Sequence, residues 1–120
     1  MRRAPSIVST NNSTEGTVAK IYAMYKHPAD AAAFDRYYYG VHVPLAKTLP
    51  GLTGYEVTRG PIASGGGGST PYHLIVTLTF SSLVAINAAL VSPQGQAVAA
   101  DLGNFATGGV DLYIADTETI

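Results

Sequence analysis

The 120-residue sequence predicts an α+β domain with the order β-α-β-β-α-β, the ferredoxin-like arrangement with an antiparallel four-stranded sheet. Four segments are rich in residues that suit a pleated strand, and the segments between them show apolar residues at helical spacing. The composition agrees, because 47% of the residues are hydrophobic and only 12% are charged, which is not typical of a disordered chain. A chain of this length is expected to form one domain.

Residues 1–16 are predicted to be a polar, disordered tail, and residues 17–120 a single domain. No apolar segment follows the basic pair Arg2 and Arg3, so no secretory signal is predicted. No run approaches the ~18 apolar residues of a membrane span. Seven basic residues against eight acidic ones leave no cationic surface for nucleic acid, and there is no cysteine. The sequence therefore predicts a cytoplasmic protein without nucleic-acid or membrane partners.

The first strand and the first helix are predicted from residue pattern. Residues 18–26 are rich in side chains that suit a pleated surface. Residues 29–39 are predicted to form a helix, because apolar residues then recur on one face: Phe34, Tyr38, Val41 and Leu45. Pro44 is expected to break this helix near Val43 and to open a short second turn.

Three further strands are predicted at residues 52–59, 72–80 and 110–116. In the second of these, alternation places Leu74, Val76, Leu78 and Phe80 on one face, opposite His73, Ile75, Thr77 and Thr79. Ser81 and Ser82 can cap a helix that ends at Ser92, and Pro93 then opens another. The glycine-rich segment 60–71 is expected to be a flexible connection, with a lid as the alternative.

One face of the predicted sheet has no cover, because the helices can cover only the other face. Four partly apolar side chains are expected on this open face: Tyr22, Met24, Ile75 and Tyr113. A half-apolar sheet face in so small a domain needs a cover. The sequence therefore predicts a homodimer that packs sheet face against sheet face.

Several segments of the chain resemble one known family. They are Tyr38-Tyr39-Gly40-Val41-His42-Val43-Pro44-Leu45-Ala46-Lys47, Leu49-Pro50-Gly51-Leu52 with Tyr55, Tyr72-His73-Leu74, Ser92-Pro93-Gln94-Gly95-Gln96 and Asp101-Leu102-Gly103-Asn104-Phe105. Together they resemble the signature of the EthD family, which is named for its association with ethyl tert-butyl ether degradation and belongs to the dimeric α+β barrel superfamily. The resemblance covers residues 18–116 and implies a ferredoxin-like protomer, a homodimer, and a pocket between the sheet and the first helix.

The resemblance implies less about activity. Related α+β barrel groups include cofactor-free quinol monooxygenases, muconolactone isomerases and haem-degrading enzymes. Some fungal proteins similar to EthD resemble decarboxylases or oxidases of polycyclic phenols. Fold analogy alone does not choose among these reactions.

His42 is the candidate catalytic residue. It precedes Pro44, so its ring can leave the helix axis towards a cleft. An imidazole titrates near neutrality and can remove a proton from a phenol or an activated carbon. The structural alternative is that His42 bonds a backbone carbonyl freed by Pro44. The family resemblance adds weight to the site role.

Six further residues are candidates for ligand binding: Tyr22, Tyr37, Tyr39, His73, Asp101 and Tyr113. Tyrosine combines an apolar ring with a polar tip, which suits a pocket for an aromatic or phenolic ligand. Consecutive tyrosines on a helix cannot all face one pocket. Tyr38 is therefore assigned to the core, and Tyr37 or Tyr39 to the cleft.

Alternatives stay open for the last two polar candidates. His73 is expected to point into the barrel or the dimer interface, where it either binds ligand or simply pairs with another group. Asp101 either orients His42 or a substrate hydroxyl, or only ends the helix, with Asn104 in a left-handed turn. For both residues the structural alternative is weighed higher.

No metal site and no cofactor are predicted. The histidines lack ligand spacing, and no nucleotide-binding motif is present. The sequence thus predicts a small homodimer that binds a hydrophobic or aromatic oxygenated metabolite. The activity would be a cofactor-free catabolic one, of isomerase, decarboxylase or monooxygenase type, with His42 as general acid or base. The alternatives are a non-catalytic binding or accessory protein of a degradation pathway, and a barrel whose cleft is closed by side chains.

Overall fold

The computed structural model describes residues 17–120 as a four-stranded antiparallel sheet with helices on one face. The strands are β1 (Thr17–Lys26), β2 (Leu52–Thr58), β3 (Tyr72–Phe80) and β4 (Val110–Glu118). The helices are α1 (Ala31–Tyr37), a π-helix (Tyr38–His42), α2 (Val43–Ala46), α3 (Leu83–Val91), α4 (Pro93–Asp101) and a 3-10 turn (Leu102–Asn104). The sheet order β2-β3-β1-β4 confirms the predicted ferredoxin-like fold. The tail predicted for residues 1–16 lies outside the described residues.

The core lies between the helices and one face of the sheet. The central strand β1 pairs with β3 and β4, so that Ile21 lies opposite both Leu78 and Ile114. Every second residue of β1 is buried: Ala19, Ile21, Ala23 and Tyr25. The β3 residues predicted to share a face are buried with them: Leu74, Val76, Leu78 and Phe80.

Capping side chains set where the helices begin. Asp30 accepts a hydrogen bond of 3.0 Å from the backbone N–H of Ala33, so α1 begins at Ala31, two residues later than predicted. The hydroxyl of Ser82 caps α3, and the hydroxyl of Ser92 caps α4. Pro93 occupies the first turn of α4, which confirms the predicted helix start there.

The break predicted before Pro44 is instead a π-helix. The N–H of Val43 donates to the carbonyl of Tyr38, five residues earlier. Pro44 has no N–H, and a proline ring crowds the carbonyl four residues before it, which favours a wider turn at this place. The short second turn opened by Pro44 is present as α2.

This π-helix changes which residues face the core. Residues spaced by four drift by about 40° per step around an α-helix, and the extra residue of the wider turn offsets much of that drift. Four such residues are therefore all buried: Phe34, Tyr38, His42 and Ala46. The predicted stripe through Val41 and Leu45 was wrong, because Val41 is 46% exposed and Leu45 is only half-buried.

A bulge near the start of β3 overturns the predicted direction of His73. Tyr25 pairs with Leu74, but Lys26 pairs with Tyr72, so His73 is an extra residue in the ladder. Its Nε2 lies 2.8 Å from an Asp35 oxygen, and its ring packs edge-on against Phe34, both in α1. His73 therefore contacts the first helix instead of the open sheet face.

The other open-face residues lie where the alternation places them. Tyr22 and Tyr113 pair directly across β1 and β4, on the face opposite the helices. Ile75 pairs with Met24 on the same face. Tyr113 is 58% exposed, so this face is uncovered in the single chain.

No single helix within residues 17–120 is long and apolar enough to cross a bilayer. Residues 83–91 and 93–104 meet the length and composition requirement only as a pair, and this pair is bent by 77°.

Candidate active site

A cavity of about 100 Å³ lies between the helices and the covered face of the sheet. Its walls are mostly aliphatic, with these residues among them: Ile21, Ala23, Val76, Leu78, Val98 and Leu102. Leu90 and Leu112 also line it and are 39% and 53% exposed, so the cavity reaches the surface beside α3 and β4. The lining side chains with nitrogen or oxygen atoms are His42, Tyr25, Tyr38 and Tyr55.

His42 forms a buried pair with Asp101 at the wall of this cavity. The distance from His42 Nδ1 to Asp101 Oδ2 is 2.8 Å, and the two residues are 4% and 8% exposed. The His42 ring also packs on Phe105, with 4.7 Å between ring centroids. The π-helix presents the histidine to α4, and the end of α4 supplies the aspartate. The alternative in which His42 bonds a freed backbone carbonyl does not occur in residues 17–120, where its only hydrogen-bond partner is Asp101.

Two further donors hold the Asp101 carboxylate. Tyr37 donates its hydroxyl to Oδ1 at 2.6 Å, and the Asn104 amide donates to the same oxygen at 3.0 Å. Burial opposes ionisation of Asp101, but the hydrogen bonds from Tyr37, Asn104 and His42 outweigh it and lower the pKa of the carboxyl. The bond to Asp101, together with burial, raises the pKa of the Tyr37 hydroxyl.

These contacts fix the protonation pattern of the neutral imidazole. An ionised carboxylate can only accept hydrogen bonds, so His42 Nδ1 carries the proton that is donated to Asp101. The other ring nitrogen, Nε2, then has a free lone pair. It has no hydrogen-bond partner among residues 17–120, and His42 lines the cavity. This is the arrangement of an oriented general base.

Asp101→Asn is expected to remove a pH-dependent part of the stability. Because the folded-state pKa of Asp101 lies below its ordinary value of 3.8, the carboxylate stabilises the fold above that pH, and this contribution is lost as the pH falls through the folded-state pKa. The free energy of unfolding of the wild type should therefore exceed that of the variant most near neutrality, and the difference should shrink below about pH 4. Urea unfolding across the acidic range measures it. A difference that does not vary with pH contradicts the expectation.

A tyrosine pair lines the same cavity. The hydroxyl oxygens of Tyr38 and Tyr55 are 2.7 Å apart, so one hydroxyl donates to the other. Burial, helped by this bond, raises the pKa of Tyr38, and burial also raises the pKa of Tyr55. Tyr38 was assigned to the core alone, but it also contributes to the cavity wall.

The predicted helix tyrosines lie beside the cavity lining. Tyr37 stands behind His42, as a donor to Asp101. Tyr39 is 38% exposed and lies beneath the Arg59 guanidinium, 5.9 Å from the ring centroid to Cζ. Neither lines the cavity that contains His42. The wider π-turn explains this, since it turns Tyr38 and His42 inward together.

The remaining candidates are separated from His42. Tyr22 and Tyr113 lie on the open sheet face. His73 and Asp35 line a shallower surface pocket with His27, beneath the connection between β2 and β3. That glycine-containing connection contributes no residue to the His42 cavity. Within the described part of the chain, no three His, Asp or Glu side chains cluster closely enough to hold a metal ion.

Asp101 is the last residue of α4, as the structural alternative expected, and it also forms the hydrogen bond to His42. Asn104 lies in a 3-10 turn and donates to Asp101, so the left-handed turn expected for it was wrong. Tyr25 and Tyr55 were not proposed as cavity residues. The strand alternation that places Tyr25 on the face of Ile21 and Ala23 is a signal that could have found it.

Comparison of the sequence with known proteins finds one family. The profile described as EthD domain matches residues 26–109. A relative from Rhodococcus erythropolis, an uncharacterized 11.0 kDa protein in the thcB-thcC intergenic region, is 38% identical over 101 residues. The match covers 84% of this chain and 96% of the relative.

Solved structures agree with that assignment. An ethyl tert-butyl ether degradation (EthD) family protein from Bacillus halodurans C-125 matches with a TM-score of 0.74 and 30% identity, over 82% of this chain and 96% of its own. Two more distant structures share the fold. One is a dimeric ferredoxin-like protein of unknown function from Jannaschia sp. CCS1, with TM-score 0.57, 24% identity and coverage of 87% and 100%. The other is SnoaB, a cofactor-independent oxygenase from Streptomyces nogalater, with TM-score 0.53, 13% identity and coverage of 87% and 93%.

The family match covers most of the folded part of the chain, including both residues of the buried His–Asp pair. The fold that surrounds this pair is the one found in the related structures. The chain therefore belongs to the EthD family and has the ferredoxin-like fold of the dimeric α+β barrel proteins.

Proposed function

We propose that this protein binds a small hydrophobic molecule with an oxygen-bearing ring in the cavity, and that His42 moves a proton on it without a cofactor. The observation that carries the proposal is the buried His42–Asp101 pair: His42 lines an apolar cavity, and its Nε2 has no hydrogen-bond partner among residues 17–120. In such a place the carboxylate orients the ring and stabilises the imidazolium that forms, and little water competes with a ligand for the Nε2 lone pair.

The proposed reaction is balanced by proton transfer alone. His42 Nε2 takes a proton from a C–H bond next to a carbonyl, or from a phenolic O–H, and the bonding electrons stay on the ligand as an enolate or a phenolate. Asp101 stabilises the charged ring through the bond to Nδ1. Return of the proton to another carbon completes an isomerisation. An oxygenase of this kind would begin with the same step and would need dioxygen as a second substrate.

The size of the cavity limits the ligand. Its volume of about 100 Å³ is smaller than the ~150 Å³ of an engineered apolar cavity that binds benzene, so one small ring would fill it and reach towards its opening. A larger ligand would place its ring inside and its substituents in the opening beside Leu90 and Leu112. The cofactor-free oxygenase SnoaB has the same fold, which supports a reaction without a cofactor but does not select the substrate.

Deuterium exchange on cyclohexanone tests this proposal. Binding is first measured by following the His42 ring signals in NMR spectra as cyclohexanone is added. Mass spectrometry then follows deuterium entering the carbons next to the carbonyl in D₂O, with and without protein. We expect the protein to bind the ketone and to accelerate the exchange. The proposal is contradicted if the protein binds neither cyclohexanone nor phenol and does not accelerate deuterium exchange on the ketone.

A non-catalytic binding protein is the second candidate function. Apart from His42 and three tyrosines, the cavity lining is apolar, which suits sequestration of a hydrophobic molecule as well as catalysis. Ligand binding with exchange no faster than in buffer would favour this candidate. Native mass spectrometry of protein purified without added ligand would also detect a co-purified molecule.

We also propose that a second copy of the chain covers the open sheet face. Tyr113→Glu places a charge on this face, at its β4 edge. The variant is expected to weaken dimerisation by at least about tenfold, because a buried unpaired charge is costly. Sedimentation at several concentrations measures the dimer fraction. Val84→Glu is the matched control, since Val84 is 77% exposed on α3. A wild-type monomer, or equal effects of the two variants, contradicts the proposal.

A further inference from the structure

The Tyr25 hydroxyl is a buried polar group without a protein partner. Tyr25 is 2% exposed at the end of β1, and its ring packs on Phe34, Tyr38 and Phe105. No hydrogen bond to its hydroxyl is formed within residues 17–120. Tyr38 and Tyr55, which line the same cavity, satisfy each other. Tyr25 is therefore the cavity tyrosine whose hydroxyl is free.

A free hydroxyl in this position needs an explanation. Leaving a buried donor unpaired disfavours folding, and a phenylalanine would fill the same volume without that penalty. Groups retained against stability are typical of functional sites. The group that would satisfy Tyr25 has to come from the cavity, because Tyr25 lines it.

His42 presents the second free polar atom of the same cavity. The rings of Tyr25 and His42 contact the same two neighbours, Tyr38 and Phe105, at centroid distances between 4.7 and 5.6 Å. Tyr25 and His42 thus both line the cavity, and each has a polar atom without a hydrogen-bond partner among residues 17–120. The other polar side chains of the lining, Tyr38 and Tyr55, bond to each other.

We propose that Tyr25 donates a hydrogen bond to the ligand's oxygen, so that the substrate class is a ring with a carbonyl or phenolic oxygen held at Tyr25 and its labile proton directed to His42. This inference rests on the proposed function and extends it to a specificity-determining residue. A hydroxyl donor at this oxygen would also stabilise the negative charge that forms there when His42 takes the proton.

The electrostatics of the cavity agree with a donor role. Burial, with smaller contributions from the nearby Tyr55 and Asp101, raises the pKa of Tyr25. The hydroxyl therefore keeps its proton over the working range of a protein and remains able to donate.

Phenol and benzene, measured on the wild type and on Tyr25→Phe, test this inference. The two probes differ by one hydroxyl, and the two proteins differ by another, so the four affinities isolate the contact between them. NMR titration is suitable for weak binding. We expect Tyr25→Phe to lower the affinity for phenol about tenfold and to leave the affinity for benzene unchanged. Tyr72→Phe is the matched control, because the Tyr72 hydroxyl bonds to Asp111 outside the cavity.

The outcomes separate this inference from the proposed function. Equal changes for phenol and benzene, or no change for either, overturn the role of Tyr25 and leave the function standing. If the wild type binds neither phenol nor benzene, the role of Tyr25 is overturned, and the proposed function is overturned with it when cyclohexanone does not bind either. Thermal unfolding of the ligand-free proteins adds a second readout. Tyr25→Phe is expected to keep or raise the melting temperature, and a fall like that caused by Tyr38→Phe would show that the hydroxyl already has a partner.

Discussion

His42→Ala is expected to lower the rate of cyclohexanone deuterium exchange at least ~10²-fold, the usual size of a general acid–base contribution. The variant removes Nε2 from the cavity and leaves Asp101 with its bonds from Tyr37 and Asn104. Binding of the ketone should change much less than the exchange rate, because most of the cavity wall is apolar and unaltered. The exchange rate at saturating ketone, followed by mass spectrometry, is the measurement.

The control for this variant is His27→Ala. His27 is exposed in the turn after β1, and its Nε2 lies 3.0 Å from the Thr70 carbonyl, outside the cavity. The His27→Ala variant should catalyse deuterium exchange on cyclohexanone at the wild-type rate. The exchange rate of Asp101→Asn is expected to lie between those of His42→Ala and His27→Ala, because Asp101 acts only through the orientation and charge of His42. Full exchange activity in His42→Ala would refute the role assigned to His42.

Gly95→Ala is expected to lower the free energy of unfolding by about 3 kcal/mol or more, at or above the upper end of ordinary overpacking costs. A Cβ at Gly95 would collide with the carbonyl oxygen of Ala89, and would lie 2.7 Å from the Leu90 carbonyl oxygen and 2.8 Å from its Cα. These are backbone atoms, which cannot move aside as a side-chain tip can. The substitution therefore forces α3 and α4 apart. Urea unfolding at neutral pH measures the loss.

Gly103→Ala provides the matched control, because nothing lies within 4 Å of a Cβ built there. It should change stability little. Since α4 ends at Asp101, displacement of this helix by Gly95→Ala should also lengthen the His42–Asp101 contact and reduce exchange activity. Stability equal in the two variants would show that α3 and α4 are not so closely packed.

Strand patterns predicted most of the fold. The alternation in residues 72–80 identified the buried face of β3, and Gly and Pro marked the ends of the elements. Two local irregularities were not predicted: the π-helix at Tyr38–His42 and the bulge at His73. Both insert one residue into a regular ladder, and each is stabilised by tertiary contacts that no short window of sequence contains.

The candidate site was predicted only in part for the same reason. His42 was singled out by its place before Pro44 and by the family resemblance, and it does line the cavity. Assuming α-helical spacing, however, directed attention to Tyr37 and Tyr39, although the π-turn brings Tyr38 and His42 inward. The pairing of His42 with Asp101 joins residues far apart in the chain, so periodicity could suggest it only as an option.

The position of β1 in the sheet determines when its two edges can pair during folding. β1 is made first but lies between β3 and β4, and Thr17 pairs with Glu118. One long side of β1 therefore has no partner until the last strand has been synthesised. Pairings so distant in sequence fold slowly, and an unpaired apolar strand edge is open to association with other chains. A product truncated before Val110 would lack this edge strand and should aggregate.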